Sequence, residues 1–231
     1  MVQVIRTGPI GTNSLIVNLG EDKVFVVDPA SCSFCGDEFK VTDFLKKEKK
    51  QPVAVVLTHG HFDHVAGLPV LKKVYPDIPV LIHKEDSFLI GAESVLAQRK
   101  DLLAVGFEDF LDSVTELPSA DCFLEDEKSL FDCMEGFAAE LSDTIKASLK
   151  KWKVLHTPGH TFGSVCLYNR AENILLSGDT VFYGSCGRTD IGGSALLMEK
   201  SLKKIKQITD STATVYPGHD FCGFKISEFF V

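Results

Sequence analysis

No stretch of this 231-residue sequence approaches the run of about 18 apolar residues that a membrane-spanning helix requires. The first residues, MVQVIRTGPIGTNSLIV, also lack the basic segment and long apolar run of an export signal. We therefore expect a cytoplasmic protein without a membrane partner.

Positive charge is also scarce: 24 Lys and Arg stand against 32 Asp and Glu, and the formal net charge is −8. An acidic chain of this size is a poor binder of nucleic acid and of anionic membranes. We therefore predict no nucleic-acid partner and expect a small-molecule substrate. The charge also suits a metalloprotein, because bound divalent cations would offset part of it. The sequence leaves the oligomeric state open.

Closely spaced cysteines are limited to one pair, Cys32 and Cys35, among seven cysteines in total. This C-x-x-C pair has no second pair at zinc-finger spacing and no thioredoxin-like surroundings. An odd number of scattered cysteines in a chain without an export signal indicates reduced thiols. We predict neither a structural metal nor a redox role for the pair.

Apolar residues are plentiful at 45%, and charged residues make up 24%, so the composition predicts a folded protein with a large core. The length fits one domain over residues 1–231. The apolar runs SLIVNLG and KVFVVDPA predict a hairpin, and PVAVVLTHG predicts a buried strand. Helices are predicted near residues 37–50, 64–75 and 194–208.

The two halves of the sequence resemble each other. VFVVDPA and ILLSGDT are apolar runs that end in Asp28 and Asp179, while AVVLTHGH and ATVYPGH end in histidine. A strand–strand–helix pattern that occurs twice predicts two sheets packed face to face, with helices outside. Between the halves, residues 85–150 read as an inserted, mainly helical segment over the active face, with helices near 86–100 and 134–151.

Candidate metal ligands are concentrated at the predicted carboxyl ends of strands, in THGHFDH, TPGHT, SGDT and YPGHD. There are seven of them: His59, His61, Asp63, His64, His160, Asp179 and His219. Imidazole and carboxylate together suit Zn²⁺, Fe or Mn. Histidines at i and i+2 on a tight loop can direct both imidazoles to one point, and the next two ligands to an adjacent point. His83 and His156 lie within or at the edge of strands, so we interpret them as packing or hydrogen-bonding residues.

The motifs GTNSLIV, VVDPA, THGHFDH, TPGHTFGSVCLY, LLSGDTVF and VYPGHD together resemble the metallo-β-lactamase fold superfamily. The segment GDTVFYGSCGRTDIGGS is similar to that of compact glyoxalase II-like hydrolases. The resemblance implies an α/β fold, a four-layer αββα sandwich with two mixed β-sheets. It also implies two divalent metal ions, Zn²⁺ first, with Fe or Mn as alternatives.

The resemblance further implies a ligand set for each metal. His59, His61 and His160 would bind the first metal, the residues Asp63, His64 and His219 the second, and Asp179 both. The expected reaction is attack of a metal-bound hydroxide on a carbonyl carbon, with Asp63 orienting the hydroxide. A thioester such as a hydroxyacyl-glutathione, or a related ester, suits this site because a thiolate leaves without a strong general acid.

Three residues outside the ligand set are candidates for support. Asp28 can hold the free ring nitrogen of a ligand histidine, although it can equally be a strand-ending turn residue. Arg188 and Asp190, in GSCGRTD, are expected to form an ion pair that holds the loop beneath the site, in preference to direct substrate contact.

One departure from the glyoxalase II pattern and one rival activity leave alternatives open. The chain extends only twelve residues beyond His219, so we expect the helical domain that grips glutathione in those enzymes to be absent, and its contacts do not carry over. A mononuclear iron persulfide dioxygenase-like oxidoreductase on the same fold is the alternative, because those enzymes also carry a G-R-T-D segment. A non-catalytic protein of this fold is disfavoured because all seven ligand positions are filled.

Overall fold

Within residues 1–230, which the computed structural model describes, eleven strands form two β-sheets. Val231, the last residue of the predicted domain, lies outside the described residues. The strands are β1 (Val2–Thr7), β2 (Thr12–Gly20), β3 (Lys23–Val27), β4 (Gln51–Val56), β5 (Val80–His83), β6 (Cys122–Leu124), β7 (Trp152–His156), β8 (Val165–Asn169), β9 (Ile174–Gly178), β10 (Thr214–Pro217) and β11 (Phe224–Lys225).

The helices lie between and after these strands. They are α1 (Lys40–Lys47), α2 (Phe62–Val65), α3 (Leu68–Val74), α4 (Ser94–Ala104), α5 (Leu130–Cys133), α6 (Glu135–Ala138), α7 (Asp143–Lys150), α8 (Ala195–Ile208) and α9 (Ile226–Phe229). Short 3-10 helices cover Ser33–Cys35, Lys84–Leu89, Gly91–Glu93 and Glu108–Ser113.

Both sheets are mixed, as predicted. The first has the order β1-β2-β3-β4-β5-β6, in which β1, β2 and β3 pair antiparallel and the pairs from β3 to β6 are parallel. The second has the order β11-β10-β9-β8-β7, with one parallel pair between β9 and β10. The predicted hairpin is the β2–β3 pair.

Three apolar layers hold the sheets and helices together, and strand β3 shows how. Because successive strand residues point to opposite faces, Phe25 and Val27 enter the layer between the two sheets, where Trp152 of β7 also lies. Val24 and Val26 enter the layer between the first sheet and the helices α1 and α3. A third layer joins the second sheet to α8 and the C-terminal elements. The αββα arrangement is therefore confirmed.

The helix predicted over residues 64–75 is divided into α2 and α3 at Gly67. The Gly67 N–H donates to the carbonyl oxygen of Pro29 at 2.7 Å, outside the helix. Pro69, in the first turn of α3, has no N–H with which to continue the α2 hydrogen-bond ladder. The break separates the turn that carries Asp63 and His64 from the helix that packs on the sheet.

Residues 85–150 contain the expected helices, with α4 and α7 near the predicted positions, but also a strand. Cys122–Leu124 pairs in parallel with β5 as the edge strand β6 of the first sheet. The acidic stretch around it hid this strand, because three residues are too few to show a period-two pattern. Part of this segment therefore extends the sandwich, and the rest reaches the candidate site.

Candidate metal centre

The seven candidate ligands come together at one edge of the two sheets. His59, His160, Asp179 and His219 follow β4, β7, β9 and β10, while Asp63 and His64 lie in α2 and His61 immediately before it. The β9 and β10 strands are parallel neighbours, so the residues that follow them emerge side by side. Open α/β sheets form sites at this edge for the same reason.

His59, His61 and His160 form the first group, with their ring nitrogens within 4.8 Å of one another. The Nδ1 atom of His61 is 2.9 Å from the Nε2 atom of His160. His59 is buried and its ring lies edge-on to both of the others. Three imidazoles from two loops thus converge on one point.

Asp63, His64 and His219 form the second group, again with ligand atoms within 4.8 Å of one another. The His64 and His219 Nε2 atoms are 3.1 Å apart. The Oδ2 atom of Asp63 is 3.3 Å from His64 Nε2 and 3.2 Å from His219 Nε2. Asp63 and His64 from the end of THGHFDH thus meet His219 from YPGHD.

Asp179 lies between the two groups. Its Oδ2 atom is 3.5 Å from His160 Nε2, in the first group, and 3.5 Å from His219 Nε2, in the second. Its Oδ1 atom is 3.4 Å from His64 Nε2. One carboxylate can therefore serve both groups.

The protonation states of His59 and His61 suit metal ligands. Burial, with the neighbouring imidazoles, lowers the pKa of His59 well below its usual range and that of His61 to about 3. Both rings are therefore neutral at pH 7 and keep a lone pair, which metal binding requires.

In the second group, the carboxylates attract positive charge. Burial opposes ionisation of Asp63 and Asp179, but the adjacent His64 and His219 hold the pKa of both carboxyls well below the usual range. Burial likewise opposes protonation of His219, but its hydrogen bonds to Asp179 and Asp63 raise its pKa to about 9. The carboxylates thus favour a cation at this position, and a metal ion bound to His219 Nε2 would displace the proton from that atom.

Two buried polar atoms add a test of whether metals fit. His59 Nε2 and Asp179 Oδ1 are both fully buried and have no hydrogen-bond partner among the described residues. Buried polar atoms are normally satisfied. His59 Nε2 belongs to the first group and Asp179 Oδ1 lies between the two groups, so the residues present fit a pair of divalent cations.

Asp28 holds a ligand histidine in place. Its Oδ2 atom accepts hydrogen bonds from His64 Nδ1 at 2.9 Å and from the Thr58 hydroxyl at 2.6 Å, and its Oδ1 atom accepts from the Thr58 N–H. Asp28 is buried and its φ is +48°, which a plain strand end would not require. The contact directs His64 Nε2 toward the second group.

The GSCGRTD segment contacts the site through its backbone. His160 Nδ1 donates to the carbonyl oxygen of Arg188 at 2.8 Å, which leaves His160 Nε2 free to act as a ligand. Arg188 and Asp190 form a two-point ion pair, with Nε–Oδ1 and Nη2–Oδ2 distances of 2.8 Å. Both side chains are exposed, and the pair holds the loop that carries this carbonyl.

Asp86 was missed by the sequence analysis. This buried carboxylate accepts hydrogen bonds from the Gly60 N–H at 3.0 Å, the Thr161 hydroxyl at 2.7 Å and the Gly163 N–H at 2.7 Å. Gly60 lies between two first-group ligands and Thr161 follows His160, so Asp86 joins two ligand loops. The only signal in the sequence is an aspartate shortly after a predicted strand.

Asn13 and Gly218 were also missed. The Asn13 side chain donates to the Pro217 carbonyl oxygen at 3.0 Å and thereby ties the GTN turn to the His219 loop. At Gly218, a Cβ atom would overlap Asp179 Oδ1, so only glycine permits the approach of this carboxylate. GTNSLIV and PGHD contained both residues, but nothing in the motifs showed that they would meet.

The remaining candidates lie outside the two groups. His83 and His156 stack on each other with ring centroids 3.9 Å apart, in line with the predicted packing role. Cys32 and Cys35 are free thiols with Sγ atoms 3.5 Å apart. Nearby Asp37 can complete a ligand group with them, but its two carboxylate oxygens already accept backbone N–H groups.

A cavity of about 400 Å³ adjoins the ligand groups. Asp63, His61, His160, Asp179 and His219 line one part, and apolar side chains from the N-terminal turn and from the 85–150 segment line much of the rest. None of the helices between residues 1 and 230 is long and apolar enough to span a membrane.

Comparison with known proteins agrees with this architecture. The model of the metallo-beta-lactamase superfamily matches residues 7–219. An uncharacterized protein of Aquifex aeolicus is 30% identical over 221 residues, covering 95% of this chain and 89% of that protein. The probable metallo-hydrolase YqgX of Bacillus subtilis is 29% identical, with 92% and 86% covered.

A hydroxyacylglutathione hydrolase of Hamiltonella defensa is 29% identical over 196 residues; the match covers 85% of this chain but only 57% of that enzyme. Among solved structures, the BLEG-1 B3 metallo-beta-lactamase is similar with a TM-score of 0.78 and 28% identity, covering 99% of this chain and 95% of that one. TTHA1623, solved in a di-iron-bound form, gives 0.75 and 25%, with 98% and 96% covered.

Proposed function

Because the chain belongs to the metallo-beta-lactamase superfamily, we propose that it is a metal-dependent hydrolase that uses two divalent cations to cleave a thioester or a related ester. The observation that carries the proposal is the pair of three-ligand groups with Asp179 between them, at the edge of a cavity large enough for a small molecule.

The ligand roles in this proposal follow the two groups. His59, His61 and His160 would hold one cation, and Asp63, His64 and His219 the other, with Asp179 shared. When bound, such cations polarise a carbonyl oxygen and acidify a water molecule. We propose zinc. Iron is the alternative supported by the di-iron form of TTHA1623, and manganese also suits imidazole and carboxylate ligands.

The protein's own residues would position the reactants. Asp63 is partly exposed to the cavity, and its lowered pKa keeps it ionised, so it would accept a hydrogen bond from the attacking water and orient it. Asp28 and the Arg188 carbonyl fix two ligand rings, and Asp86 fixes the loops around them. Because these groups are in place before substrate binds, they need not reorganise during the reaction, and the activation free energy is lower.

A thioester is supported by two considerations. A thiolate, with an ordinary pKa near 8.5, departs without protonation by a strong general acid. The hydroxyacylglutathione hydrolase matches also favour this class of bond, although they span little more than half of those enzymes. Whether glutathione is the thiol is a separate question.

The test combines metal analysis with turnover. We expect about two metal ions per purified chain and hydrolysis of thioesters. His59→Ala should lose metal and reduce kcat/KM by at least about 10³-fold, while circular dichroism shows an intact fold. His83→Ala is the matched control, because His83 also ends a strand but lies outside both groups.

Two results would contradict the proposal. Unchanged turnover in His59→Ala would show that the reaction does not require a metal held by His59. One iron per chain, with oxygen uptake on glutathione persulfide and no thioester hydrolysis, would support the dioxygenase alternative instead.

A further inference from the structure

The cavity beside the ligand groups has an apolar wall. Ile10, Phe62, Leu102, Phe107 and Phe110 line it together with the metal-ligand candidates. Phe62, Leu102 and Phe110 also belong to one small buried cluster, so this part of the wall has a packed backing. Phe107 is 38% exposed and lies edge-on to Phe110, with ring centroids 5.5 Å apart. A substrate bound at the ligands would therefore have apolar surface beside it.

Hydrogen bonds hold this wall to the loop of residues 59–61, which carries His59 and His61. Gln98, buried in α4, donates from Nε2 to the carbonyl oxygens of Gly60 and Leu89, both at 2.7 Å. Gly60 stands between His59 and His61, so α4 is placed relative to the first ligand group. A rigid wall can distinguish substrates, because the protein loses little conformational entropy when an apolar group binds against it.

Apart from the two ligand groups and Asp179, where the cations would bind, the described side chains that line the cavity offer an anionic substrate arm no unpaired cationic partner. Among the described residues that line it, Arg188 is the one Lys or Arg, and its guanidinium is paired at two points with Asp190. Asp101 and Asp220 line the cavity as well. Glutathione carries two carboxylates, and a carboxylate moved out of water without a cationic partner is costly.

We propose that the preferred substrate is a thioester with an apolar acyl arm on an uncharged thiol, and not a hydroxyacyl-glutathione. The apolar arm lies against the wall formed by Leu102, Phe107 and Phe110. This inference rests on the proposed thioesterase function and specifies its substrate class.

Four substrates separate the two halves of the proposal. Lactoyl and hexanoyl groups are each joined to glutathione and to N-acetylcysteamine, a neutral thiol, and kcat/KM is measured with the metal-loaded protein. We expect the hexanoyl esters to exceed the lactoyl esters by about tenfold or more, since each well-buried methylene adds about tenfold. We expect each N-acetylcysteamine ester to equal or exceed its glutathione counterpart.

Binding and a matched pair of variants provide an independent readout. S-Hexyl-N-acetylcysteamine is a thioether that cannot be hydrolysed. Its Kd, measured by titration calorimetry, should be lower than that of S-methyl-N-acetylcysteamine. Phe107→Ala should reduce the ratio of kcat/KM for the hexanoyl to the lactoyl thioester of N-acetylcysteamine by about tenfold. Phe137→Ala should not change that ratio, because Phe137 is similarly exposed, at 47%, but does not line the cavity.

The failures are distinguishable. If S-D-lactoylglutathione is the best substrate of the four, or if Phe107→Ala leaves the ratio unchanged, the substrate class is wrong and the thioesterase function stands. If none of the esters is hydrolysed, both proposals are overturned.

Discussion

At the scale of single residues, the candidate centre depends on groups outside the seven candidate ligands. Asp28 and the Arg188 carbonyl each engage the outer nitrogen of a ligand ring, and Asp86 engages the backbone of two ligand loops. Such partners set ring direction, and their loss commonly costs tenfold to a hundredfold in metal affinity or activity. The residues in the sequence motifs are therefore only some of the residues on which the candidate centre depends.

Asp86→Asn should weaken the site without removing a ligand. The amide offers one acceptor oxygen where three donors converge, so at least one buried donor loses its partner. We expect a loss of about 2–3 kcal/mol in the free energy of unfolding and about tenfold weaker metal binding. Urea denaturation and metal titration measure the two effects.

The matched control is Asp43→Asn, an exposed aspartate of α1. It should change neither quantity. Wild-type metal affinity in Asp86→Asn would show that the ligand loops hold their positions without this carboxylate.

His83 should make stability depend on pH. Burial, together with the stacked His156, lowers the pKa of His83 from 6.5 to about 4. Between these values the unfolded chain binds more protons than the folded one, so the stabilising contribution present above pH 6.5 declines as the pH falls toward 4. In His83→Phe this contribution to the pH dependence is absent.

The measurement is urea denaturation of wild type and His83→Phe at several pH values from 7.5 to 4. As the pH falls through this window, the free energy of unfolding of His83→Phe should increase relative to that of the wild type. A difference that stays constant across it would mean that His83 titrates alike in the folded and unfolded chains.

At the scale of secondary-structure elements, strand direction explains where the ligands meet. The parallel pairs β3–β4 and β9–β10 place Asp28 beside the His59 loop and Asp179 beside the His219 loop. The two sheets then face each other through a shared apolar layer, which brings both halves of the site to one edge. Residues 85–150 contribute differently, through α4 and the apolar wall.

Gln98→Leu should loosen that wall. The substitution leaves the carbonyl oxygens of Gly60 and Leu89 without their buried donor. We expect a loss of about 1–3 kcal/mol in the free energy of unfolding, from the desolvation penalty of buried unpaired groups. Urea denaturation measures it, and Gln207→Leu, at an exposed position of α8, should change stability by less than about 0.5 kcal/mol. Equal effects in the two variants would contradict the anchoring role of Gln98.

At the scale of the whole molecule, metal should contribute to folding stability. Ligands from both halves of the chain meet only in the folded protein, so cations that bind there stabilise it by mass action. Removing metal with a chelator should lower Tm by about 5–10 °C, and adding Zn²⁺ should restore it. Differential scanning calorimetry should show one transition in each state, as the predicted single domain requires; an unchanged Tm would contradict a metal within these groups.

Much of the fold and site was predictable because the physical signals are local. Continuous apolar runs indicate strands such as β2 and β3, and a histidine or aspartate shortly after an apolar run marks a strand end. β6 and Asp86 were not predictable in this way. A three-residue strand depends on its neighbour for its hydrogen bonds, and a buried aspartate depends on donors that lie 26 and 75 residues away along the chain.

The amino-acid sequence by itself determined the two-sheet sandwich and the chemical identity of the candidate ligands, because periodicity, glycine turns and imidazole chemistry belong to short segments. The family resemblance implied the division of those ligands between two metals, whereas only the tertiary structure decided their distances from one another and the place of Asp179 between the two groups. It also decided that α4 and Phe107 form an apolar wall beside them. Distances between segments far apart in the chain follow from the packing of both sheets as a whole, and no single segment carries that information.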